Sequence, residues 1–232
     1  MSTITFTKDI SVRADYDCIV CGGGCAGFVA AISAARAGLR TALVERYGFL
    51  GGTATAGYVV PISGFYFKGE RVVGGIAWEF VNRLEAQGAA LVELPKGHVS
   101  VHPENYKVVA EQMVEECGVE LYTNTILIDS VTDGKKITHI ILNDKSGTYA
   151  LTAKTFIDAT GDGDLAFMAG APMRSADSGT MQPLSLCFVI ENADATNSNI
   201  YGNGQYHLYI DGRKVSISQD VYIPPVEEVE SN

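Results

Sequence analysis

Near its N-terminus the chain alternates short apolar runs with a stretch of small residues at helical spacing. Residues 18–21 form an uninterrupted apolar run of the kind found in strands buried on both faces of a parallel sheet. Residues 28–37 are rich in alanine and repeat larger apolar side chains at helical intervals, and residues 39–44 form a second apolar run. The pattern predicts a strand, a helix and a second strand parallel to the first.

The middle of the chain predicts two longer helices and then a change of period. Apolar residues recur every three or four positions over 76–87 and 104–117, which indicates amphipathic helices. After an apolar run at 119–122 the spacing becomes two, and short glycine-containing turns separate the runs, which is typical of antiparallel strands. The predicted strands here are 126–131, 137–142, 148–153 and a buried one at 155–158.

These elements predict an α/β fold with a parallel sheet and a three-stranded antiparallel β-meander. We expect this domain to cover residues 1–172, with an insertion at about 53–100 whose first part, 56–75, is glycine-rich and irregular. Residues 173–232 change character and predict the start of a mostly-β substrate or cap domain. Its expected β segments are 184–190, 205–210 and 215–222.

The turn after the first strand carries glycines at the spacing G-x-G-x-x-G, in the stretch Gly22-Gly23-Gly24-Cys25-Ala26-Gly27. Gly22 permits a tight turn, Gly24 lets the main chain approach a pyrophosphate, and Gly27 lets the helix sit close to the strand. A pyrophosphate would then face unpaired amides at the helix N-terminus, where the helix dipole favours anions. Flanked by strand and helix, this spacing predicts a dinucleotide site.

An acidic residue, Glu45, ends the second strand about 20 residues beyond the glycines, as the dinucleotide fingerprint requires. A carboxylate in that place accepts hydrogen bonds from the hydroxyls of an adenosine ribose and disfavours a 2′-phosphate. The position therefore makes NADP the least suitable dinucleotide.

Two further glycine stretches bear on the choice of cofactor. Arg46 leads into Gly51-Gly52-Thr53, where main chain can again approach a phosphate or a ring. The strand at 155–158 leads into Ala159-Thr160-Gly161-Asp162, a second turn, in which Asp162 or Asp164 either meets a cofactor hydroxyl or caps the following helix. A plain NAD dehydrogenase needs only the first glycine turn, so the meander and second turn favour a larger dinucleotide.

Composition narrows the class of protein. The chain is 47% apolar and 19% charged, which suits a globular core, and its net charge of −10 argues against nucleic acid and anionic membranes as partners. Residues 18–35 carry no charge, but their glycines fit a strand-turn-helix pattern better than a membrane span. We expect a soluble, cytoplasmic protein.

Five cysteines without framework spacing predict reduced thiols: Cys18, Cys21, Cys25, Cys117 and Cys187. A metal site on the first three is disfavoured, because residues three apart on a strand face opposite sides of the sheet. The candidate proton donors His98 and His102 have no evident partner near them in sequence, and surface or helix-entry roles suit them better. No catalytic residue is assigned.

Three stretches taken together, Gly22–Gly27, Leu43–Gly52 and Ile157–Ala166, resemble the FAD-dependent oxidoreductase family. This is the glutathione-reductase-like flavoprotein group that includes the flavoprotein subunits of heterodisulfide reductases, and the resemblance covers about residues 14–190. It implies a Rossmann-like FAD-binding domain and an enzyme that transfers hydride or electrons through its flavin.

The resemblance also implies which positions contact FAD. Glu45 would bind the adenosine ribose with Arg46 beside it, Gly51-Gly52-Thr53 would run past the pyrophosphate toward the flavin ring, and the Ile126 backbone would meet adenine. The predicted cofactor-binding residues are Gly22, Gly23, Gly24, Cys25, Ala26, Gly27, Glu45, Arg46, Gly51, Gly52, Thr53, Ile126, Ala159, Thr160, Gly161 and Asp162.

The chain departs from the family pattern in two places. Cys25 stands where the family tends to have proline, which should change the stiffness of the turn and not the identity of the cofactor. The later Gly-Asp segment that closes over the flavin in the family has no match after residue 173, so we expect a fragment of a longer protein or a reduced member.

The leading functional hypothesis is an FAD-dependent oxidoreductase acting on a small-molecule substrate with a separate electron donor or acceptor. A non-catalytic FAD-binding module and an NAD-dependent dehydrogenase are the alternatives. A homo-oligomer is among the assemblies that the sequence leaves open.

Overall fold

A computed structural model describes residues 3–93 and 98–174 and the strands at 206–210 and 213–217. The helices are α1 (Cys25–Arg36), α2 (Gly75–Ala86), α3 (Pro103–Glu116) and α4 (Asp164–Met168), with a 3-10 turn at Gly52–Ala54. The strands are β1 (Val12–Cys21), β2 (Thr41–Val44), β3 (Pro61–Ile62), β4 (Tyr66–Phe67), β5 (Glu70–Arg71), β6 (Ala90–Glu93), β7 (His98–Val101), β8 (Glu120–Tyr122), β9 (Ile126–Asp133), β10 (Lys136–Asp144), β11 (Gly147–Asp158), β12 (Tyr206–Ile210) and β13 (Arg213–Ile217).

The main sheet has six strands in the order β8-β2-β1-β11-β10-β9. Its first four strands run parallel, and β11, β10 and β9 form the antiparallel meander, so the predicted α/β fold is confirmed. Cys21 is in register with Val44 on one side and Asp158 on the other, and Val44 is in register with Tyr122. The four parallel strands therefore end side by side, the edge at which open α/β sheets bind ligands.

One strand, β11, replaces the two that were predicted at 148–153 and 155–158. Residues 147–152 of β11 pair with β10, and residues 150–158 pair with β1. A single strand therefore belongs to both the meander and the parallel sheet. Lys154, the residue between the two predicted strands, lies exposed and makes an ion pair with Asp17 at 2.6 Å. A charged side chain at the surface of a strand does not interrupt its backbone pairing.

The first helix begins earlier than its apolar spacing predicted. It starts at Cys25 instead of residue 28, because Gly24 is already its N-cap with extended backbone. It ends at Arg36, and Gly38 follows in the left-handed conformation at φ +85°.

The insertion is more regular than predicted over 56–75. Strands β4 and β5 form a small hairpin there, and β3 joins a second sheet in the order β3-β7-β6. The helix that follows, α2, packs against this sheet and α3. The turn at Lys68-Gly69 explains the hairpin, since both residues take positive φ, at 50° and 83°.

Two hydrophobic cores lie on opposite faces of the main sheet. One holds α1, α2 and α3 against the sheet and includes Cys18, and the other lies beneath the meander and includes Cys21. The prediction that these two thiols face opposite sides is thus confirmed. In the first core the rings of Phe28, Phe80 and Tyr106 pack with centroids 4.5–6.0 Å apart.

The described residues include only part of the predicted C-terminal domain. Strands β12 and β13 pair as an antiparallel hairpin, which matches the segment at 205–210 and the start of that at 215–222. The segment at 184–190 lies outside the described residues, and the domain boundary at 172 stays a prediction. Within the described residues, no helix has the length and apolar character needed to cross a bilayer.

The close contact between α1 and β1 gives a test of the fold. A Cβ at Gly27 would overlap the carbonyl oxygen of Gly22, so Gly27→Ala must push the helix off the strand. We expect Gly27→Ala to lower the free energy of unfolding by about 1–3 kcal/mol, the usual cost of overpacking. Urea denaturation measures this loss. The control is Ser33→Ala on the exposed side of the same helix, and similar stabilities of the two variants would contradict the packing.

Candidate cofactor site

The first and second glycine turns lie in contact at the carboxyl ends of β1 and β11. The Ala159 amide donates to the Cys21 carbonyl at 2.8 Å, and the Gly22 amide donates to the Val44 carbonyl at 2.8 Å. Gly22 has φ +98°, and a Cβ there would overlap the Ala159 carbonyl and lie 2.8 Å from the Thr160 Cα. Glycine is therefore required at 22 both for its conformation and for the contact between the turns.

The start of α1 presents bare main chain to open space. Gly24 is the N-cap without a side-chain capping bond, and the first helical turn contains no acidic residue. Among the described residues, a Cβ at Gly24 would meet only the Gly52 Cα, at 3.8 Å. Helix N-terminal amides for which this part of the chain supplies neither an acceptor nor a side chain in front of them suit a phosphate group. The residues present thus fit the pyrophosphate of a dinucleotide.

The Glu45 carboxylate braces the first glycine turn. Only 5% of this residue is exposed, and its Oε2 accepts a hydrogen bond from the Gly23 amide at 2.6 Å. Its Oε1 accepts from the Tyr47 amide at 2.8 Å. Each carboxylate oxygen keeps a second lone pair, so the group can still accept a ribose hydroxyl. Sequence reasoning assigned Glu45 only the ribose and missed the brace.

Position 23 requires glycine because Leu50 and the Glu45 carboxylate leave no room for a side chain there. A Cβ there would lie 2.5 Å from the Leu50 Cδ2 and 3.0 Å from the Glu45 Oε2. The short loop from Glu45 to Leu50 and the first glycine turn are therefore packed against each other at this residue.

The pair Gly51-Gly52 packs against the first glycine turn. The Gly51 amide donates to the Gly23 carbonyl at 2.9 Å, and Gly51 forms a parallel bridge with Gly24. A Cβ at Gly52 would come within 2.9 Å of the Gly24 Cα. Glycine is needed here for contact between two stretches of main chain, a reason that sequence reasoning did not foresee. Thr53 follows in the 3-10 turn and is exposed.

Cys25, the first residue of α1, links this turn to α3. Its thiol lies 3.4 Å from the Gly51 carbonyl, to which it donates, and accepts from the Tyr106 hydroxyl at 3.4 Å. Burial, followed by the nearby Cys25 sulfur, raises the pKa of Tyr106. The side chain that stands in place of the family's proline thus ties the turn to its neighbours, while Ala26 is exposed beside it.

The second turn is organised by Asp158. Its Oδ1 accepts from the Thr160 amide and hydroxyl at 3.1 and 2.7 Å, and its Oδ2 accepts from the Ala166 amide at 2.8 Å. Partial burial alone would raise the pKa of Asp158, but the hydrogen bonds from Ala166 and Thr160 outweigh it and hold that pKa below its ordinary value. The carboxylate therefore stays ionised and bound within the turn.

Of the two roles that the sequence leaves open for Asp162 and Asp164, the structure does not show the capping of α4. The N-cap is Gly163, at φ +77°, with no side-chain capping bond of its own. The Thr160 hydroxyl accepts from the Asp164 amide at 2.8 Å, so Thr160 and the preceding Asp158 satisfy the amides of α4. Asp162 lies exposed after Gly161, whose φ is +94° and at which a Cβ would meet no atom of the described residues within 4 Å.

The segment before β9 lies beside Glu45. The Thr125 amide donates to the Glu45 carbonyl at 3.0 Å, and the Asn124 amide donates to the Tyr47 carbonyl at 3.0 Å. Ile126 comes next, and 53% of it is exposed. Arg46 extends over the Tyr47 ring, with its guanidinium carbon 4.9 Å from the ring centroid. Arg46 and Ile126 are thus both placed near the carboxylate that sequence reasoning assigned to ribose.

The two candidate histidines lie on β7 and at the start of α3. His98 begins β7 in the insertion sheet, and its Nδ1 lies 2.8 Å from the hydroxyl of Ser63, a partner that the fold supplies from a distant part of the chain. His102 is the N-cap of α3, which confirms the helix-entry role. The partner of His98 is 35 residues away in sequence, which is why spacing did not find it.

Comparisons with known proteins identify the family. A family model described as FAD dependent oxidoreductase matches residues 17–228. The chain belongs to the FAD-dependent oxidoreductase family. The resemblance carried by the glycine motifs is thus confirmed, and FAD is the cofactor of the family.

Individual relatives fit the same picture. A dihydrolipoyl dehydrogenase of Trypanosoma brucei brucei is 63% identical over 48 residues, which are 21% of this chain and 10% of that protein. A geranylgeranyl diphosphate reductase of Rhodobacter capsulatus is 26% identical over 230 residues, covering 91% of this chain and 56% of the reductase.

The fold is shared with solved structures. A geranylgeranyl bacteriochlorophyll reductase-like protein from Thermoplasma acidophilum superposes with a TM-score of 0.51 at 16% identity, over 68% of this chain and 42% of that one. This likeness shows a shared fold. The chain spans about half the length of the two reductase relatives it matches.

The Asp158 turn gives a prediction about stability and pH. Because its folded pKa lies below the ordinary 3.8, its contribution is complete above that pH and is lost as the pH falls through the folded value. We expect Asp158→Asn to cost about 1 kcal/mol at neutral pH, a low figure because the carboxylate is partly exposed and screened.

Urea denaturation of both proteins across this pH range measures the difference directly. The gap between wild type and Asp158→Asn should be constant at neutral pH and shrink below 3.8. A gap that does not change with pH would show that the charge of Asp158 does not hold the turn.

Proposed function

We propose that this chain binds FAD along its two glycine turns and is the flavin-binding part of an oxidoreductase. The observation that carries the proposal is the contact between bare main chain of the Gly22 turn and the Ala159 turn, beside the open N-terminus of α1. Two glycine turns that meet at the carboxyl edge of a parallel sheet suit one extended dinucleotide.

The proposed contacts follow from the geometry of each turn. The amides from Gly24 to Gly27 at the N-terminus of α1 bind the pyrophosphate, and the free lone pairs of Glu45 accept the ribose hydroxyls. Arg46 and the backbone of Ile126 line the adenosine end. The open space at Gly161 and the exposed Asp162 suit the chain that leads to the flavin.

FAD fits these residues better than the alternatives. Membership of the FAD-dependent oxidoreductase family supports it over NAD, and a buried carboxylate at Glu45 repels the 2′-phosphate of NADP. Bound FAD would supply the redox chemistry through its isoalloxazine ring. The protein's part is to hold the cofactor rigidly and to satisfy its charge, toward a small-molecule substrate and a separate electron donor or acceptor.

We also infer a cytoplasmic location. The support is the state of the cysteines: the four that the structure describes, Cys18, Cys21, Cys25 and Cys117, are all free thiols. Reduced thiols are the rule in reducing compartments.

The purified protein tests the proposal through its colour. We expect a yellow protein that releases FAD on denaturation, and a colourless Gly24→Val variant, because the valine side chain occupies the space required by the pyrophosphate. Absorption spectra and the flavin content per chain measure both. Full flavin content in Gly24→Val, or a wild type that cannot be reconstituted with FAD, would refute the site.

The chain offers a matched control for this variant. Gly74 is the N-cap of α2 and has extended backbone, as Gly24 does at α1, and both helices are 12 residues long. Among the described residues, a Cβ at Gly74 would meet only the Arg71 guanidinium, at 3.6 Å. Gly74→Val should retain flavin. If turnover with a dye or quinone acceptor is found in wild type, Gly24→Val should lose it and Gly74→Val should keep it.

Cys25 provides a second, chemical test. Its thiol lies exposed in the first glycine turn, whereas Cys18 and Cys21 are buried and burial raises the pKa of Cys21 to about 12. With FAD well above its dissociation constant, we expect alkylation of Cys25 to slow at least about tenfold, since only ligand-free protein reacts. Cys117, the C-cap of α3, is the internal control, and its rate of alkylation should not change when FAD binds.

Mass spectrometry of the alkylated peptides follows each cysteine separately. Equal rates at Cys25 with and without bound FAD would place the cofactor elsewhere on the protein. Protection of Cys117 to the same degree as Cys25 would indicate a general tightening of the protein and would also count against the site.

A further inference from the structure

The loop between Glu45 and Gly51 carries a stack of two aromatic rings with a cation over each. Tyr47 and Phe49 stack with ring centroids 5.4 Å apart and planes within 5° of parallel. Arg46 lies over Tyr47 at 4.9 Å, and the Lys107 ammonium lies over Phe49 at 4.2 Å. We call these four residues the ring column. It joins the loop, through Lys107, to helix α3.

The ring column is connected to the Glu45 carboxylate through the backbone of Tyr47. The Tyr47 amide donates to Oε1 of Glu45, and its carbonyl accepts from Asn124, which holds a left-handed backbone at φ +51°. A shift of the Tyr47 ring therefore moves the peptide groups that fix the carboxylate. The other oxygen of that carboxylate holds the Gly23 amide, so the first glycine turn would move as well.

Phe49 links helix α3, through Lys107, to the same glycine turn. The next residue, Leu50, is completely buried and closes over Gly23, within 2.5 Å of where a Cβ would lie. Lys107 is thus the one member of the ring column that comes from outside the loop. Its side chain is 20% exposed, and it also makes an ion pair with Glu104 at 2.7 Å, one turn earlier on α3.

We propose that Lys107 is a positioning residue for the adenosine end of the cofactor site. Its ammonium, held over the Phe49 ring, fixes the loop so that Glu45 keeps its hydrogen bonds to Gly23 and Tyr47 and directs its free lone pairs outward. Lys107 does not touch the cofactor in this assignment. The proposal rests on the proposed binding of FAD and adds a residue that acts on its affinity from a distance.

Three variants separate the ring contact from other roles of Lys107. Lys107→Met keeps the aliphatic length and removes the charge, Lys107→Arg keeps a cation over the ring, and Glu104→Gln removes the ion pair alone. We expect Lys107→Met to weaken binding of FAD by the apoprotein about two- to fivefold, the effect of losing a partly exposed cation–π contact. Lys107→Arg and Glu104→Gln should bind as wild type does.

Binding of ADP, measured by calorimetry, locates the effect. ADP carries the adenosine and the diphosphate of FAD without the riboflavin, so Lys107→Met should weaken the binding of ADP and of FAD by the same factor. A loss in Glu104→Gln equal to that in Lys107→Met would assign the effect to the ion pair and overturn the proposal. Failure of Lys107→Arg to restore affinity would overturn it too.

Amide hydrogen exchange of the apoprotein reads the position of the loop without any ligand. In Lys107→Met the amides of Gly23 and Tyr47, both donors to Glu45, should exchange faster, and in Lys107→Arg they should be protected as in wild type. Unchanged exchange in Lys107→Met would refute the positioning role. If wild type binds neither FAD nor ADP, the proposed function fails, and this exchange measurement still decides whether Lys107 holds the loop.

Discussion

The site depends on a close contact between main-chain segments, which is possible because glycine has no side chain. Main chain at Gly22 meets main chain at Ala159, and the carbonyl of Gly22 lies where any larger residue at position 27 would put its Cβ. Strand β1, helix α1 and strand β11 therefore converge on one residue. Because hard-sphere overlap is steep, this convergence fixes the relative positions of both turns more tightly than hydrogen bonds alone would.

Much of the site is built by the protein's own groups. The Glu45 carboxylate and the Asp158 carboxylate each end a parallel strand, and each holds the amides of the turn near it. Polar turns at a sheet edge would otherwise lose their shape, since their amides have no strand partners. A ligand that arrives here meets turns whose main chain is already fixed, so less conformational entropy is lost on binding.

Local spacing predicted the glycine turns, the meander and the family, because each is encoded within a few consecutive residues. The sequence could not show that Lys154 is a surface residue within one long strand, or that His98 finds Ser63, since both facts depend on partners far away in the chain. The role of Asp158 in capping α4 was missed for the same kind of reason. Capping rules look at the residue next to a helix, and here the acceptors are supplied from 4 and 8 residues before the amides they bind.

Strand β11 sets the distance between the meander and the second glycine turn. Its Thr152 is aligned with His139 of the meander, and its Asp158 is aligned with Cys21 at the glycine turn. Adding or deleting one residue between them would shift the second turn by about 3.3 Å and exchange which side chains face each core. The number of residues in this stretch therefore sets where the second glycine turn lies, independently of which side chains the stretch carries.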